Sequence, residues 1–195
     1  MVTGRWAAAV PRPAPSAHLR VAGGRLGGRR LSAPRGIRPT QGLVKEAIFN
    51  MLGGAVEGAA VLDLFAGSGA LGIEALSRGA AEATFVDSDE AAIRVIRRNL
   101  QALELVERAR VVRSDATRWL AANPDEVRQA SLVFLDPPYN DAILEHALAL
   151  LDMLVARGTT VVAEYAHRNP LPALHRLRAS RQRRYGDTAV SFLAP

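Results

Sequence analysis

From residue 60 onward, short runs rich in Val, Leu and Ala alternate with stretches of helical periodicity, and that alternation leaves few folds open. The runs predict strands over 60–65, 83–87, 109–114, 132–136, 159–164, 177–185 and 189–193. Helical patterns fall at 70–78, 90–105 and 141–156, with shorter ones expected at 117–122 and 172–175. Apolar strands joined by crossover helices need cover on both faces, which predicts an α/β fold with a doubly wound, mostly parallel seven-stranded sheet. Only Gly186 and Asp187 separate the last two runs, a hairpin signal that turns the final strand antiparallel.

Three segments are expected. Residues 1–17 are Ala- and Pro-rich, lack periodicity and read as a flexible tail. Residues 18–38 form a basic extension: HLRVAGGRLGGRRL at 18–31 has two strand-like runs split by glycines, a β-hairpin pattern with arginines on one face. Residues 39–195 form the main domain and open with a helix over 39–52, where Leu43, Val44, Ala47, Ile48, Met51 and Leu52 recur at helical spacing before Gly53 and Gly54.

The net charge of +6 is unevenly distributed. Residues 1–45 carry +9, residues 46–167 carry −8 and residues 168–195 carry +5, and 24 of the 25 basic residues are arginine. Two arginine-rich ends around an acidic body suit a polyanionic partner such as nucleic acid, because the arginine fork binds phosphate bidentately. The chain has no cysteine, which excludes disulfides, thiolate metal sites and any thiolate nucleophile. His18, His146, His167 and His175 are scattered, so no metal site is expected. No apolar run approaches the roughly 20 residues of a membrane-spanning helix, and a cytoplasmic protein is expected.

The first strand runs into Asp63-Leu64-Phe65-Ala66-Gly67-Ser68-Gly69-Ala70-Leu71-Gly72. Gly67, Gly69 and Gly72 match G-x-G-x-x-G between a strand and a helix, where a nucleotide-like cofactor can approach backbone amides. Asp87 closes the second strand twenty residues after Gly67, the spacing at which a carboxylate accepts from ribose hydroxyls. A dinucleotide would bring a pyrophosphate to this loop, whereas S-adenosylmethionine brings an ammonium and a sulfonium. Asp63, just before the glycines, places negative charge where such a cation sits and favours the second.

Asp136-Pro137-Pro138-Tyr139 follows the apolar run of residues 132–135. Two prolines end the strand abruptly and leave the Asp136 carboxylate and the Pro137 carbonyl at the carboxyl edge of the sheet. Two acceptors there suit an exocyclic amino group, which offers two N–H donors, and Tyr139 offers a face on which the base stacks. The missing thiolate also excludes methyl transfer to carbon 5 of a pyrimidine, which needs a thiolate to add to the ring.

Asp63 to Gly72 together with Asp136 to Tyr139 resembles the class I, S-adenosylmethionine-dependent amino-methyltransferases, whose fold is Rossmann-like. Leu19 to Arg25, Gly28 to Leu31, Ile37 to Thr40 and Val44 to Asn50 narrow the resemblance to the RsmD family, which methylates N2 of a guanine in bacterial 16S ribosomal RNA. The likeness covers residue 19 to the C-terminus. It implies cofactor contacts from Asp63, Phe65, Ala66, Gly67 and Gly69, ribose binding by Asp87, and adenine contacts from Asp115 and Ala116. It implies that Asp136, Pro137 and Tyr139 hold the guanine, that Thr40 and Lys45 help close the methionine end of the cofactor, and that Arg20, Arg25, Arg29 and Arg30 grip RNA backbone. The partner it implies is ribosomal RNA within a small subunit or an assembly intermediate; the chain's size makes a monomer the expected state, and no metal is expected. A nicotinamide-dependent enzyme, a DNA adenine-N6 methyltransferase and a non-catalytic RNA-binding assembly factor are the rival readings.

Overall fold

The computed structural model describes residues 19–33, 40–137 and 141–195, the side chains of Thr40, Gln41 and Asp141 excepted. The expected tail over 1–17, His18, most of the link after residue 33, and Pro138 and Tyr139 lie outside the described residues.

Seven strands form one sheet: β1 (Ala60–Leu64), β2 (Glu82–Asp87), β3 (Ala109–Arg113), β4 (Leu132–Leu135), β5 (Thr160–Ala166), β6 (Arg178–Tyr185) and β7 (Thr188–Ala194). Their spatial order is β3-β2-β1-β4-β5-β7-β6. The first five strands pair in parallel, and β7 inserts antiparallel between β5 and β6. The hairpin expected at Gly186 and Asp187 is therefore present, and Gly186 adopts the left-handed φ of 61° that its turn requires.

One face of the sheet carries helices α1 (Thr40–Leu52), α2 (Ala70–Ser77) and α3 (Glu90–Ala102), which bury Ile48, Phe49, Ile73 and Ile96 against Phe85, Phe134 and Phe192. The rings of Phe49 and Phe134 sit 5.6 Å apart and tilted, which ties α1 to the centre of the sheet. The other face carries α4 (Ala116–Ala122), α5 (Pro124–Gln129) and α6 (Asp141–Leu154), packed through Trp119, Leu120, Leu148 and Leu151 onto Leu64, Val133 and Val161. Among the described residues no helix is long and apolar enough to cross a membrane.

Two expectations need correction, and one helix was not expected. No helix forms over residues 172–175, because the amides of His175, Arg176 and Leu177 all donate to the Asp152 carboxylate on α6. That clasp leaves the amides unavailable for helical bonding, and Arg176 reaches the carbonyls of Met153 and Val155 at the end of α6. Helix α3 stops at Ala102 rather than residue 105: Glu104 takes a left-handed φ of 57° and the Leu105 amide turns back to the Leu100 carbonyl. Helix α5 was missed, being six residues with Val127 its one buried apolar side chain; Pro124 opens it.

Over its described residues, 19–33, the basic extension is an antiparallel excursion reduced to one bridge, Arg20 with Arg30, closed by a 3-10 turn over Gly24–Leu26. Its backbone pairs through Val21 to Arg29 and Leu31 to Leu19, and Val21 and Leu31 insert into the core beneath α1.

Candidate active site

The sheet order reverses direction between β1 and β4, and in an open α/β sheet ligands bind at the carboxyl ends flanking that point. A cleft of about 220 Å³ lies there. Its walls include Asp63, Phe65, Ala66 and Gly67 from the glycine loop, Lys45 from α1 and Asp136 after β4.

The loop owes its shape to backbone conformations that the sequence pays for with glycine. Gly67 and Gly69 adopt φ of 55° and 76°, and Gly69 caps α2 with its carbonyl accepting the Ile73 amide. Phe65 adopts φ 62°, a left-handed conformation unusual for a bulky side chain, at the mouth of the cleft. Gly72 serves a different purpose: a Cβ there would lie 2.3 Å from Phe85 Cε1, so only glycine lets α2 approach the sheet this closely.

Asp63 is 2% exposed, accepts the Gly72 amide at 2.8 Å through Oδ2, and forms part of the cleft wall. Burial pushes its carboxyl up to about 8, opposed by the Gly72 hydrogen bond and reinforced by the nearby Asp136 and Asp87. A buried acid held this way gains most from a cation that enters the cleft beside it.

Asp87 does not line the cleft wall; its carboxylate anchors the loop instead, accepting the Gly67 amide at 2.7 Å and the Asp89 amide at 2.8 Å. Gly69 acts through its backbone. Asp115 caps α4, with Oδ1 accepting from the Thr117 hydroxyl and the Arg118 amide, and these bonds hold its carboxyl below the usual range. Ala116 is buried in the opposite core. Both stand at the carboxyl end of β3, one strand beyond Asp87. Thr40 opens α1. Pro137 is half-buried directly after Asp136.

Lys45 is tied more closely to structure than the resemblance implied. Its ammonium donates to the Arg20 carbonyl at 2.9 Å and pairs with Glu74, which is 0% exposed. Glu74 also accepts the amides of Ala22 and Gly23 and the Arg78 guanidinium. Burial alone would raise the Glu74 carboxyl, but Lys45 and these donors bring it below the usual carboxylate range, while burial draws Lys45 down against the pull of Glu74. Ser77 and Asn99 complete the clasp: Ser77 donates to the Gly23 carbonyl, and Asn99 bonds the backbone of Ser32 on one side and Ser68 of the glycine loop on the other. The extension and the loop are thus fastened to one framework, which leaves Arg20, Arg25, Arg29 and Arg30 exposed on its outer side.

Sequence reasoning missed Glu164, Leu19, Ser68, Ala70 and Leu71 in the cleft wall. Glu164 had a signal: it is a lone acid in the buried run Thr160–Ala166, one residue past the Leu135–Ala163 register pair and therefore level with Asp136. Asp136 and Glu164 share this wall with the buried, proton-retaining Asp63, an acidic lining suited to a cationic ligand.

Residues 19–194 match the model of a family described as Conserved hypothetical protein 95. YlbH of Bacillus subtilis is 43% identical over 179 residues, covering 89% of this chain and 97% of its own. The Ribosomal RNA small subunit methyltransferase D of Escherichia coli K12 is 42% identical over 144 residues, 73% of this chain and 71% of its own. The solved structure of yhhF from Escherichia coli superposes with a TM-score of 0.81 at 34% identity, over 91% of this chain and 97% of that one. Agreement over this much of the chain, at these identities and with the same fold, makes it a member of the ribosomal RNA small subunit methyltransferase D family.

Proposed function

We propose that the chain transfers a methyl group from S-adenosylmethionine to the exocyclic N2 amino group of a guanine in small-subunit ribosomal RNA. The observation that carries this reading is the meeting of Asp63 and Asp136 in one cleft at the switch point, one acid buried beside the glycine loop and the other at the end of β4. Its relatives support the RNA substrate, since the Escherichia coli member is a ribosomal RNA small subunit methyltransferase.

The residues present fit the cofactor. Asp63 provides a desolvated carboxyl for the ammonium of its methionine part, the loop from Phe65 to Gly69 lets its backbone come close, and Asp87 stands at the end of β2 with two oxygens that can each take a ribose hydroxyl beside the amide they already accept. Bound S-adenosylmethionine supplies an electrophilic methyl group on a sulfonium. The chain's own part is to prepare the acceptor. The Asp136 carboxylate and the Pro137 carbonyl accept the two N–H bonds of the amino group, draw the nitrogen lone pair out of conjugation with the ring and aim it along the line of attack. Asp136 or water takes the proton once the new N–C bond has formed. Tyr139 stacks on the base.

Arg20, Arg25, Arg29 and Arg30 then hold RNA phosphates, with residues 18–38 acting as an extension on the domain of residues 39–195. A monomer acting in the cytoplasm on a small subunit or an assembly intermediate completes the reading.

The test is incubation with methyl-labelled S-adenosylmethionine and subunits or RNA that lack the modification, followed by nucleoside analysis. N2-methylguanosine is expected; a different methylated nucleoside in its place, or no product, refutes the assignment.

A further inference from the structure

Strand β6 is the outermost strand of the sheet, and seven of its eight residues are exposed. It carries Arg178, Arg181, Arg183 and Arg184, and neither it nor its neighbour β7 contains an acidic residue. Charge on an edge strand discourages pairing with other sheets. That role is indifferent to which face each arginine takes, whereas the register here sorts the faces.

One row of paired residues runs Asp63, Phe134, Val162, Phe192, Arg181 across five strands. Two residues further along, Glu164 pairs with Val190 and Val190 with Arg183, level with Asp136. Side chains in register across a sheet share a face. Arg181 and Arg183 therefore lie on the face that carries Asp63, Asp136 and Glu164, the face covered by α1 and the basic extension through Val21, Leu31, Ile48, Val190 and Phe192. Arg181 reaches the carbonyl of Met51 at the end of α1, 3.0 Å away. Arg184 pairs with Ala189, which packs in the opposite core, and so lies on the other face.

The spacing is suited to nucleic acid. At roughly 4.8 Å per strand, Arg183 stands about 10 Å from Glu164 and about 14 Å from Asp136 along the row, a span of a few nucleotides. The basic extension docks on α2 and α3, above β1 to β3, through Glu74, Ser77 and Asn99. The cleft lies between that extension and β6.

We propose that Arg181 and Arg183 form a second phosphate-binding site for the RNA, so that the strand bearing the target base crosses the cleft between two arginine clusters, one in residues 20–30 and one on β6. The proposal rests on the reading of the substrate as ribosomal RNA. Two anchors either side of the cleft fix the strand's direction and hold a splayed base in place, using forks that bind phosphate bidentately.

Arg183 is the residue to test, since its guanidinium bonds only the carbonyl of Gln182 among the hydrogen bonds described, and Arg184 on the opposite face is its control. Binding of a small-subunit ribosomal RNA transcript is measured against salt concentration for Arg183→Glu, Arg183→Gln and Arg184→Glu, with methyl transfer to unmodified subunits measured on the same preparations. Arg183→Glu is expected to weaken RNA binding tenfold or more at low salt. Arg183→Gln is expected to reduce the log–log salt slope by about 0.7–0.9, one phosphate contact, with unchanged melting temperature and cofactor affinity. Arg184→Glu is expected to change affinity by less than twofold. Equal losses at positions 183 and 184, or none at 183, overturn the proposal. A wild-type protein that methylates no ribosomal RNA overturns instead the functional reading beneath it.

Discussion

Asp63 accepts the Gly72 amide at 2.8 Å, so the acid near the end of β1 is held by the first turn of α2. Burial raises its carboxyl to about 8 from the ordinary 3.8. The unfolded chain releases this proton near pH 3.8 and the folded chain keeps it to about 8, so the stability tied to the protonated carboxyl is full below about pH 4 and is lost as pH rises through about 8. Asp63→Asn keeps an acceptor for Gly72 and removes the titration. Without cofactor, the variant's melting temperature is expected to gain on the wild type's steadily from pH 4 to pH 8, while its affinity for S-adenosylmethionine falls tenfold or more. A melting-temperature difference that does not vary with pH would refute the burial argument.

Gly72 carries the second prediction. Its absent Cβ leaves room for the Phe85 ring, whose Cε1 and Cζ would lie 2.3 and 2.7 Å from an added methyl, and Phe85 is fully buried. Neither the ring nor the strand beneath it can move away cheaply, so Gly72→Ala should cost roughly 1–3 kcal/mol. Gly42→Ala is the comparison, since nothing lies within 4 Å of a Cβ there. Urea denaturation of the two variants checks the ranking; equal midpoints would mean that the helix shifts freely.

Glu74 joins the basic extension to the domain, and the third prediction concerns what its loss releases. Glu74→Ala leaves the amides of Ala22 and Gly23 without their acceptor and strips buried Lys45 of its carboxylate partner, leaving it the Arg20 carbonyl. Breaking a buried pair by removing one partner costs about 3–5 kcal/mol. Exchange of the Val21 and Leu31 amides should rise well above that of β4, because the extension loses its clasp while the central sheet keeps its ladder. Hydrogen exchange read residue by residue measures this, and uniform acceleration would show that Glu74 supports the whole fold equally.

The strand and helix succession and the antiparallel last strand were legible because each rests on a local signal: apolar runs, helical spacing and the Gly186-Asp187 turn. The glycine loop was legible for the same reason, since G-x-G-x-x-G reports a backbone requirement that Gly67, Gly69 and Gly72 each meet differently. The features missed depend on partners far along the chain. Asp152 prevents a helix at 172–175 from more than twenty residues away, and Glu74 reaches back more than fifty to Ala22. The position of Glu164 beside Asp136 required the strand register, and the capping role of Asp115 required the geometry of α4, neither of which spacing reports.

Asp136 separates binding from chemistry, and that separation is the last prediction. It shares the cleft wall with Asp63 but stands at the end of β4, across the switch point from the loop that the cofactor would touch. An acceptor that acts on the amino nitrogen contributes most when the lone pair is being localised, so its removal should appear in the turnover rate rather than in cofactor affinity. Asp136→Ala is therefore expected to lower methyl transfer to ribosomal RNA by roughly a hundredfold or more, the scale seen when one preorganised stabilising group is lost. Its affinity for S-adenosylmethionine should stay within a few-fold of the wild type, because Asp63 rather than Asp136 provides the carboxyl beside the glycine loop. Single-turnover methylation of unmodified subunits, paired with calorimetric titration of the cofactor, distinguishes the two effects. Wild-type turnover in the variant would remove Asp136 from the chemistry, and a parallel loss of cofactor binding would reassign it to the cofactor's pocket.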